Sequence, residues 1–305
     1  MAIEFGLVLA ERQPRGPVNA WMDNVDKILP TLGGHFRSLW MTDHLFWEDW
    51  YTLEVWTVLS YLAAQYPNFQ VGSMVMCQSY RNPALLAKMA ASLQVLSQGR
   101  LLFGVGAGWK EDEYGGYGYP FPSPGTRVAQ LEDTLEIIKR LWTQPGKITY
   151  HGQHYHVDDA YCEPKPDPLP PLIVGGKGSK TMKLAARYAD WWNVSDKNYM
   201  QYSGLVATLR QQCASVGRDP ASLRLTWFGR IALGKTEAEA QARGASDLMK
   251  WTRENAFVGT PEQVIEQMRP FIELGVDYFM LDVLGLPDPD VTGMLLEDVL
   301  PYLKK

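Results

Sequence analysis

Residues Val71 to Trp109 read VGSMVMCQSYRNPALLAKMAASLQVLSQGRLLFGVGAGW, and this stretch parses as strand, capped helix and second strand ending in glycines. Asn82 suits an N-cap and Pro83 a first helical turn, while Gly99 supplies the stop. Leu85, Met89, Leu93 and Leu96 recur at helical spacing and predict the buried face. Leu101 to Val105 then form a short apolar strand, and Gly106 and Gly108 stand where it emerges at its carboxyl end. Glycine there removes the Cβ that would keep a ligand from the backbone. The GVGAG run lacks the spacing of a dinucleotide fingerprint, and by count it follows a fourth strand rather than opening the first βα turn.

The same alternation extends in both directions. Short apolar runs at Ile3–Leu9, Ser38–Thr42, Gln70–Met76, Leu101–Val105, Leu172–Val174, Trp191–Val194, Leu223–Leu233 and Tyr278–Val283 give eight candidate strands. Between them Val128, Leu131, Leu135, Ile138 and Trp142 mark a helix face. Thr260-Pro261-Glu262-Gln263 is a capping box, followed by Val264, Met268, Phe271 and Ile272 and closed by Gly275. Eight βα units without a Gly/Ser-rich linker favour one α/β domain over residues 1–305, a (β/α)8 TIM barrel, over a doubly wound sheet with an added domain. Insertions are expected at about 111–127 and 146–171, as long loops covering the barrel, with ITYHGQHYHV forming a small hairpin in the second.

At 305 residues and 46% hydrophobic content the chain can bury a large core. A net charge of −5 with dispersed basic residues lacks the footprint of a nucleic-acid binder. No run of 18 apolar residues offers a membrane span, and the N-terminus does not read as an export signal. Cys77, Cys162 and Cys213 are too few and too scattered for a disulfide framework and suit a reducing, cytoplasmic setting.

Asp43 and His44 follow SLWMT directly, at a strand's carboxyl end, where barrel enzymes place catalytic groups. Histidine there can relay a proton near neutral pH, and the adjacent carboxylate can orient a cofactor or donor. Trp47 and its aromatic neighbours Trp50 and Tyr51 can wall a substrate pocket. Gly175 to Thr181, GGKGSKT, lies between a strand and a helix and reads as an anion site, with backbone N–H groups, the helix dipole, and Ser179 or Thr181 as hydroxyl donors. It is not a Walker loop. His151, His154 and His156 lack an accompanying ligand set and are read as hairpin residues, with no metal site expected.

In order along the chain, SLWMTDH, VGSMV, YRNPALLAKMAASLQVLSQGR, LLFGVGAGWKEDEYGGYGYPFP, LIVGGKGS, AARYADWWN and VGTPEQVIEQMRPFIELGVDYFML resemble the bacterial luciferase-like superfamily of flavin and deazaflavin oxidoreductases. Within it, the chain is most similar to the branch that uses coenzyme F420. The resemblance implies a luciferase-like barrel with a cofactor ring at the carboxyl ends of the strands. It also implies a bulged third strand with a non-proline cis peptide, at Ser73–Met74 or Met74–Val75.

Carried onto this chain, Asp43 bonds the ring's polar edge and His44 acts in catalysis as proton donor or acceptor. Ser73, Met74, Ala107 and Gly108 approach the ring or its tail, with Gly176, Gly178 and Ser179 at the phosphate. Sugar-phosphate dehydrogenases of the family carry GVGTGE where this chain has Ala107 and Trp109, so that activity is not expected. Trp109 instead narrows the pocket toward a flat or apolar substrate.

The reading is hydride transfer between F420 and a small organic molecule, in a cytoplasmic protein without nucleic-acid or membrane partners; a homodimer is implied by the resemblance alone. The alternatives are an FMN-dependent monooxygenase on the same fold and a non-catalytic flavin-binding protein.

Overall fold

The computed structural model describes residues 2–9, 12–13, 17, 19–32, 34–246 and 250–303. Eight parallel strands form the barrel: β1 Glu4–Val8, β2 Ser38–Met41, β3 Gln70–Ser73, β4 Leu101–Gly106, β5 Leu172–Gly175, β6 Trp191–Ser195, β7 Arg224–Leu233 and β8 Val276–Val283. Each pairs with its neighbours in chain order, β8 pairs with β1, and β4 pairs with β5 through Leu172 opposite Phe103. The sheet therefore closes, which decides for the barrel over an open doubly wound sheet.

Two concentric sets of apolar residues hold it. The outer set joins strand exteriors such as Leu39, Val71, Phe103 and Leu281 to the surrounding helices. The inner set comprises Val8, Trp40, Met74, Leu102, Ile173, Phe228, Tyr278 and Met280. Trp40 fills the barrel axis because glycine faces it on both flanking strands: a Cβ on Gly6 would lie 2.2 Å, and one on Gly72 2.4 Å, from its indole. The barrel interior is a packed core.

Helix α1 is Ala20–Ile28 and α2 is Val55–Gln65; α3, Pro83–Leu96, starts where the sequence predicts, with Asn82 accepting from the N–H groups of Ala84 and Leu85. Its buried face differs from the expectation. Leu85 and Leu96 are 55% and 80% exposed, whereas Leu86, Ala87, Ala90, Ala91 and Leu93 are buried. Small alanines let the helix approach its neighbour, α5 Pro124–Thr143, closely enough for the Trp142 indole to donate to the Ala87 carbonyl at 3.0 Å. Close packing thus selects the alanine stripe over the leucine one.

The insertions are partly ordered as secondary structure. Residues 111–127 hold the short helix α4, Glu111–Gly116, and the start of α5 rather than one long loop. The second carries the expected hairpin, Ile148–His151 against His156–Ala160. Helices α6 Ser179–Tyr188, α7 Tyr199–Ser215, α8 Glu237–Ser246 and α9 Pro261–Leu274 follow β5, β6, β7 and the short strand Phe257–Gly259, and a helical stretch over 289–303 follows β8. Thr260 and Gln263 make the capping box that starts α9 and Gly275, at φ 113°, ends it. No helix among the described residues is long and apolar enough to cross a membrane.

Candidate active site

A cavity of about 630 Å³ opens at the carboxyl ends of the strands, within the size range of small-molecule and cofactor sites. Its walls are Asp43, His44 and Trp47 after β2, Met74 to Cys77 after β3, Ala107 to Lys110 after β4, Gly176 and Lys177 after β5, Asn193 to Lys197 at the end of β6, and Phe228 and Arg230 on β7. It thus gathers Asp43, His44, Trp47, Met74, Ala107, Gly108, Trp109 and Gly176 from the residues singled out in the sequence. The floor is interrupted at Met74–Val75, a non-proline cis peptide, after which Met76 and Cys77 rejoin β4 opposite Val105 and Gly106. Of the two positions left open, this is the second.

Three expected contacts fall outside. Ser73 is fully buried, with its hydroxyl donating to the Gly104 carbonyl at 3.0 Å and accepting the Gly104 N–H at 3.2 Å, so it braces β3 against β4 rather than facing the cavity. Gly178 and Ser179 stand exposed at the start of α6, and the Ser179 hydroxyl accepts from Gln212. The loop turns Lys177 and Thr181 inward in their place.

His44 is held from behind by Glu113, a residue the sequence reading missed. Nδ1 lies 3.1 Å from both carboxylate oxygens of Glu113. That carboxylate also accepts the N–H groups of Leu45 and Phe46, at 2.9 and 3.3 Å, and the Tyr80 hydroxyl at 2.9 Å. Burial opposes its charge, but the hydrogen bonds from His44, Tyr80 and Phe46 outweigh burial and hold its pKa below the ordinary carboxyl value. An ionised Glu113 accepts only, so Nδ1 carries the hydrogen and Nε2 is left open, without a partner among the described residues. Trp47 and Trp109 meet the imidazole edge-on, at ring separations of 5.0 and 5.9 Å. Trp109 is 64% exposed on the cavity wall, and the Lys110 ammonium lies over the Trp47 ring at 5.0 Å.

Asp43 is more fully engaged than its sequence position suggests. Arg81 donates to its two oxygens at 2.8 and 3.2 Å, and the Cys77 N–H to Oδ2 at 2.8 Å. Burial pushes its carboxyl up, with the Arg81 guanidinium opposing. Its geometry is that of a clamp between the exits of β2 and β3, since the side chain is already doubly paired with a guanidinium. Burial likewise pushes the Cys77 thiol up to about 11, which makes it a poor nucleophile.

Across the cavity lie charged groups the sequence did not flag. Lys197 is driven below its ordinary pKa by burial and by the nearby Lys177. Helix α6 begins beside them at Gly178 with no side-chain cap, so its first N–H groups and dipole face outward. The Thr181 side chain lines this corner, and no described residue takes its hydroxyl. Arg230 is paired with Asp196 at 3.3 Å and Asp282 at 3.0 Å. Away from the cavity, His151 pairs with Asp158 at 2.6 Å in the hairpin, and no group of three potential ligands for a metal occurs among the described residues.

One mouth of a closed parallel barrel thus gathers a buried His–Glu pair, a cis-peptide floor and a cationic corner, the build of a barrel protein with a small-molecule-sized cavity at the strand ends. The chain belongs to the luciferase-like monooxygenase family, whose model matches residues 34–253. It is 29% identical over 221 residues to the F420-dependent hydroxymycolic acid dehydrogenase of Mycobacterium tuberculosis, covering 71% of this chain and 60% of that protein. It is also 29% identical over 213 residues to the F420-dependent glucose-6-phosphate dehydrogenase of Kineococcus radiotolerans, covering 67% and 61%. The matches thus span about three fifths of these relatives. Among solved structures, an F420-dependent secondary alcohol dehydrogenase in complex with an F420–acetone adduct superposes with a TM-score of 0.86 over 100% of both chains, at 20% identity. That likeness shows the fold.

Proposed function

We propose that this chain is an oxidoreductase that moves a hydride between coenzyme F420 and a small organic molecule. The observation that carries the reading is the His44–Glu113 pair on the cavity wall, with Nε2 open, inside a family whose relatives at 29% identity are F420-dependent dehydrogenases.

The cavity's residues fit such a cofactor. Met74, Val75, Ala107 and Phe228 offer apolar surface for a ring, while His44, Asn193 and Thr181 add polar side chains to the cavity lining. Lys177, Lys197, Thr181 and the open start of α6 suit a phosphate-bearing tail. Bound there, a deazaflavin would supply the carbon that carries the hydride. The protein's own part is proton handling and water exclusion. His44 gives or takes a proton at Nε2, Glu113 fixes its Nδ1–H and stabilises the imidazolium, and Trp47 and Trp109 border the space for the substrate. Asp43, clamped by Arg81, acts as a positioning residue and keeps acceptor capacity at Oδ1 for the ring's polar edge.

Cytoplasmic residence and a homodimer complete the reading: the first rests on three unbridged cysteines, the second on the family resemblance.

A second reading, an FMN-dependent monooxygenase, is favoured by the name of the family itself. Titration of the purified protein with oxidised F420 and with FMN in parallel separates them. Preferential F420 binding supports hydride transfer, and preferential FMN binding with oxygen consumption on reduction supports the monooxygenase. Binding of neither rejects the ring site.

A further inference from the structure

On the cavity floor, Asn193 of β6 is 4% exposed. Its Nδ2 is 2.9 Å from Thr226 Oγ1, with the Met280 sulfur at 3.5 Å. Thr226 Oγ1 in turn lies 3.0 Å from the Trp192 carbonyl, and a carbonyl can only accept. The single hydroxyl hydrogen of Thr226 therefore goes to Trp192, and the hydroxyl meets Asn193 as an acceptor. This fixes the amide: Nδ2 faces Thr226 and Oδ1 faces away.

Oδ1 accepts no hydrogen bond among the described residues, and Asn193 reaches open space through the cavity. The Met280 sulfur beside the amide has no donor to offer Oδ1. The oxygen is not among the fully buried unpaired atoms, so it opens on the cavity, where a ligand N–H or O–H can replace water as its donor.

We infer that Asn193 recognises the bound ring by accepting a hydrogen bond at Oδ1 from an N–H or O–H on the ring's edge, and that Thr226 is the positioning residue that holds the amide in this orientation. The inference rests on the proposed ring site. It adds a polar contact from β6, on a strand separate from those carrying His44 and the cis peptide.

The test is the dissociation constant of F420, by equilibrium dialysis, for the wild type, Asn193→Leu, Thr226→Val and the double variant, with thermal melts of each ligand-free protein as a check on folding. Asn193→Leu keeps the volume and removes the acceptor, and it is expected to weaken binding about tenfold. Thr226→Val frees the amide to turn and is expected to weaken it about threefold. The double variant should bind no more weakly than Asn193→Leu, because Thr226 acts through Asn193. A folded Asn193→Leu that binds as tightly as the wild type overturns the inference while leaving the ring site standing. Losses that multiply in the double variant overturn the role given to Thr226. If Asn193→Leu does not fold, Thr226→Val decides, with unchanged binding counting against the inference. A wild type that binds no ring rejects both the site and the inference.

Discussion

Two buried carboxylates in this molecule have nearly the same surroundings and opposite consequences. Asp133 on α5 is 4% exposed and accepts the N–H groups of Gln153, His154 and Tyr155 and the Tyr150 hydroxyl. Glu113 is 1% exposed and accepts the N–H groups of Leu45 and Phe46 and the Tyr80 hydroxyl. Each pins a loop through backbone donors and one phenol. Glu113 has in addition His44 Nδ1, and the other side of that imidazole lies on the cavity. One histidine, placed between a carboxylate and a ligand-sized space, turns a structural clamp into a site that can handle protons. The hairpin histidines have the residue type without the cavity.

The comparison breaks most sharply at His44. His44→Ala is expected to lower kcat about 10²- to 10⁴-fold for any alcohol or carbonyl that the wild type turns over with F420, while Asp133→Asn leaves kcat within about threefold, the hairpin lying away from the reacting atoms. Steady-state kinetics on both variants checks this, and equal losses would remove the distinction. Glu113→Gln keeps the shape of the clamp but lets the imidazole choose its tautomer. A fall in kcat of about 10- to 100-fold is expected, smaller than for His44→Ala because the general acid–base group remains.

Stability should sort the two the other way. Asp133→Ala leaves three backbone N–H groups without their partner and is expected to cost about 1–3 kcal/mol in urea unfolding, with kcat retained. A cost near zero would mean that water replaces the carboxylate. Smaller still is the effect of the cationic corner: Lys197→Ala should weaken F420 binding about three- to tenfold at low salt and less at high salt. Riboflavin, lacking the phosphate, serves as the control, and an equal loss for riboflavin would place Lys197 elsewhere on the ligand.

The last contrast is in pH. Glu113 is held below its ordinary value of 4.5 in the folded protein, so the stability it lends is present above the unfolded value and fades as pH falls through the folded one. The difference in unfolding free energy between wild type and Glu113→Gln should therefore shrink as pH falls below about 4.5. A difference that grows on acidification would mean that the carboxyl is neutral in the folded state.

How much of this was legible depends on how local each signal is. All eight strands could be read because apolar runs alternate with helical spacing, and Asn82, Thr260 and Gly275 marked ends through contacts with adjacent residues. The α3 face was misread because leucine spacing carries the larger hydropathy, whereas the approach of α5 is set by Ala87 and its neighbours. His44 was found from its place after a strand. Glu113 was not, since its partner lies 69 residues earlier in the chain and only barrel closure brings them together. The GGKGSKT loop does border the cavity, but the side chains lining it are those of Lys177 and Thr181 rather than Ser179, because a helix start faces its side chains by turns that sequence alone does not orient. Lys197 and Arg230 carried no motif, and Asn193 ends the AARYADWWN segment without being singled out; their signal was position at or just past the end of β6 or on β7.

Glu113 holds His44 with a proton on Nδ1 and an open Nε2 toward the cavity. Imidazole ¹⁵N–¹H correlation spectroscopy of the protein with selectively labelled histidine, with His44→Ala for assignment, reads this directly. Where the imidazole is neutral, His44 is expected to show a protonated Nδ1 and an unprotonated Nε2, with the preference lost in Glu113→Gln. A His44 protonated at Nε2 alone, unchanged by Glu113→Gln, would contradict it.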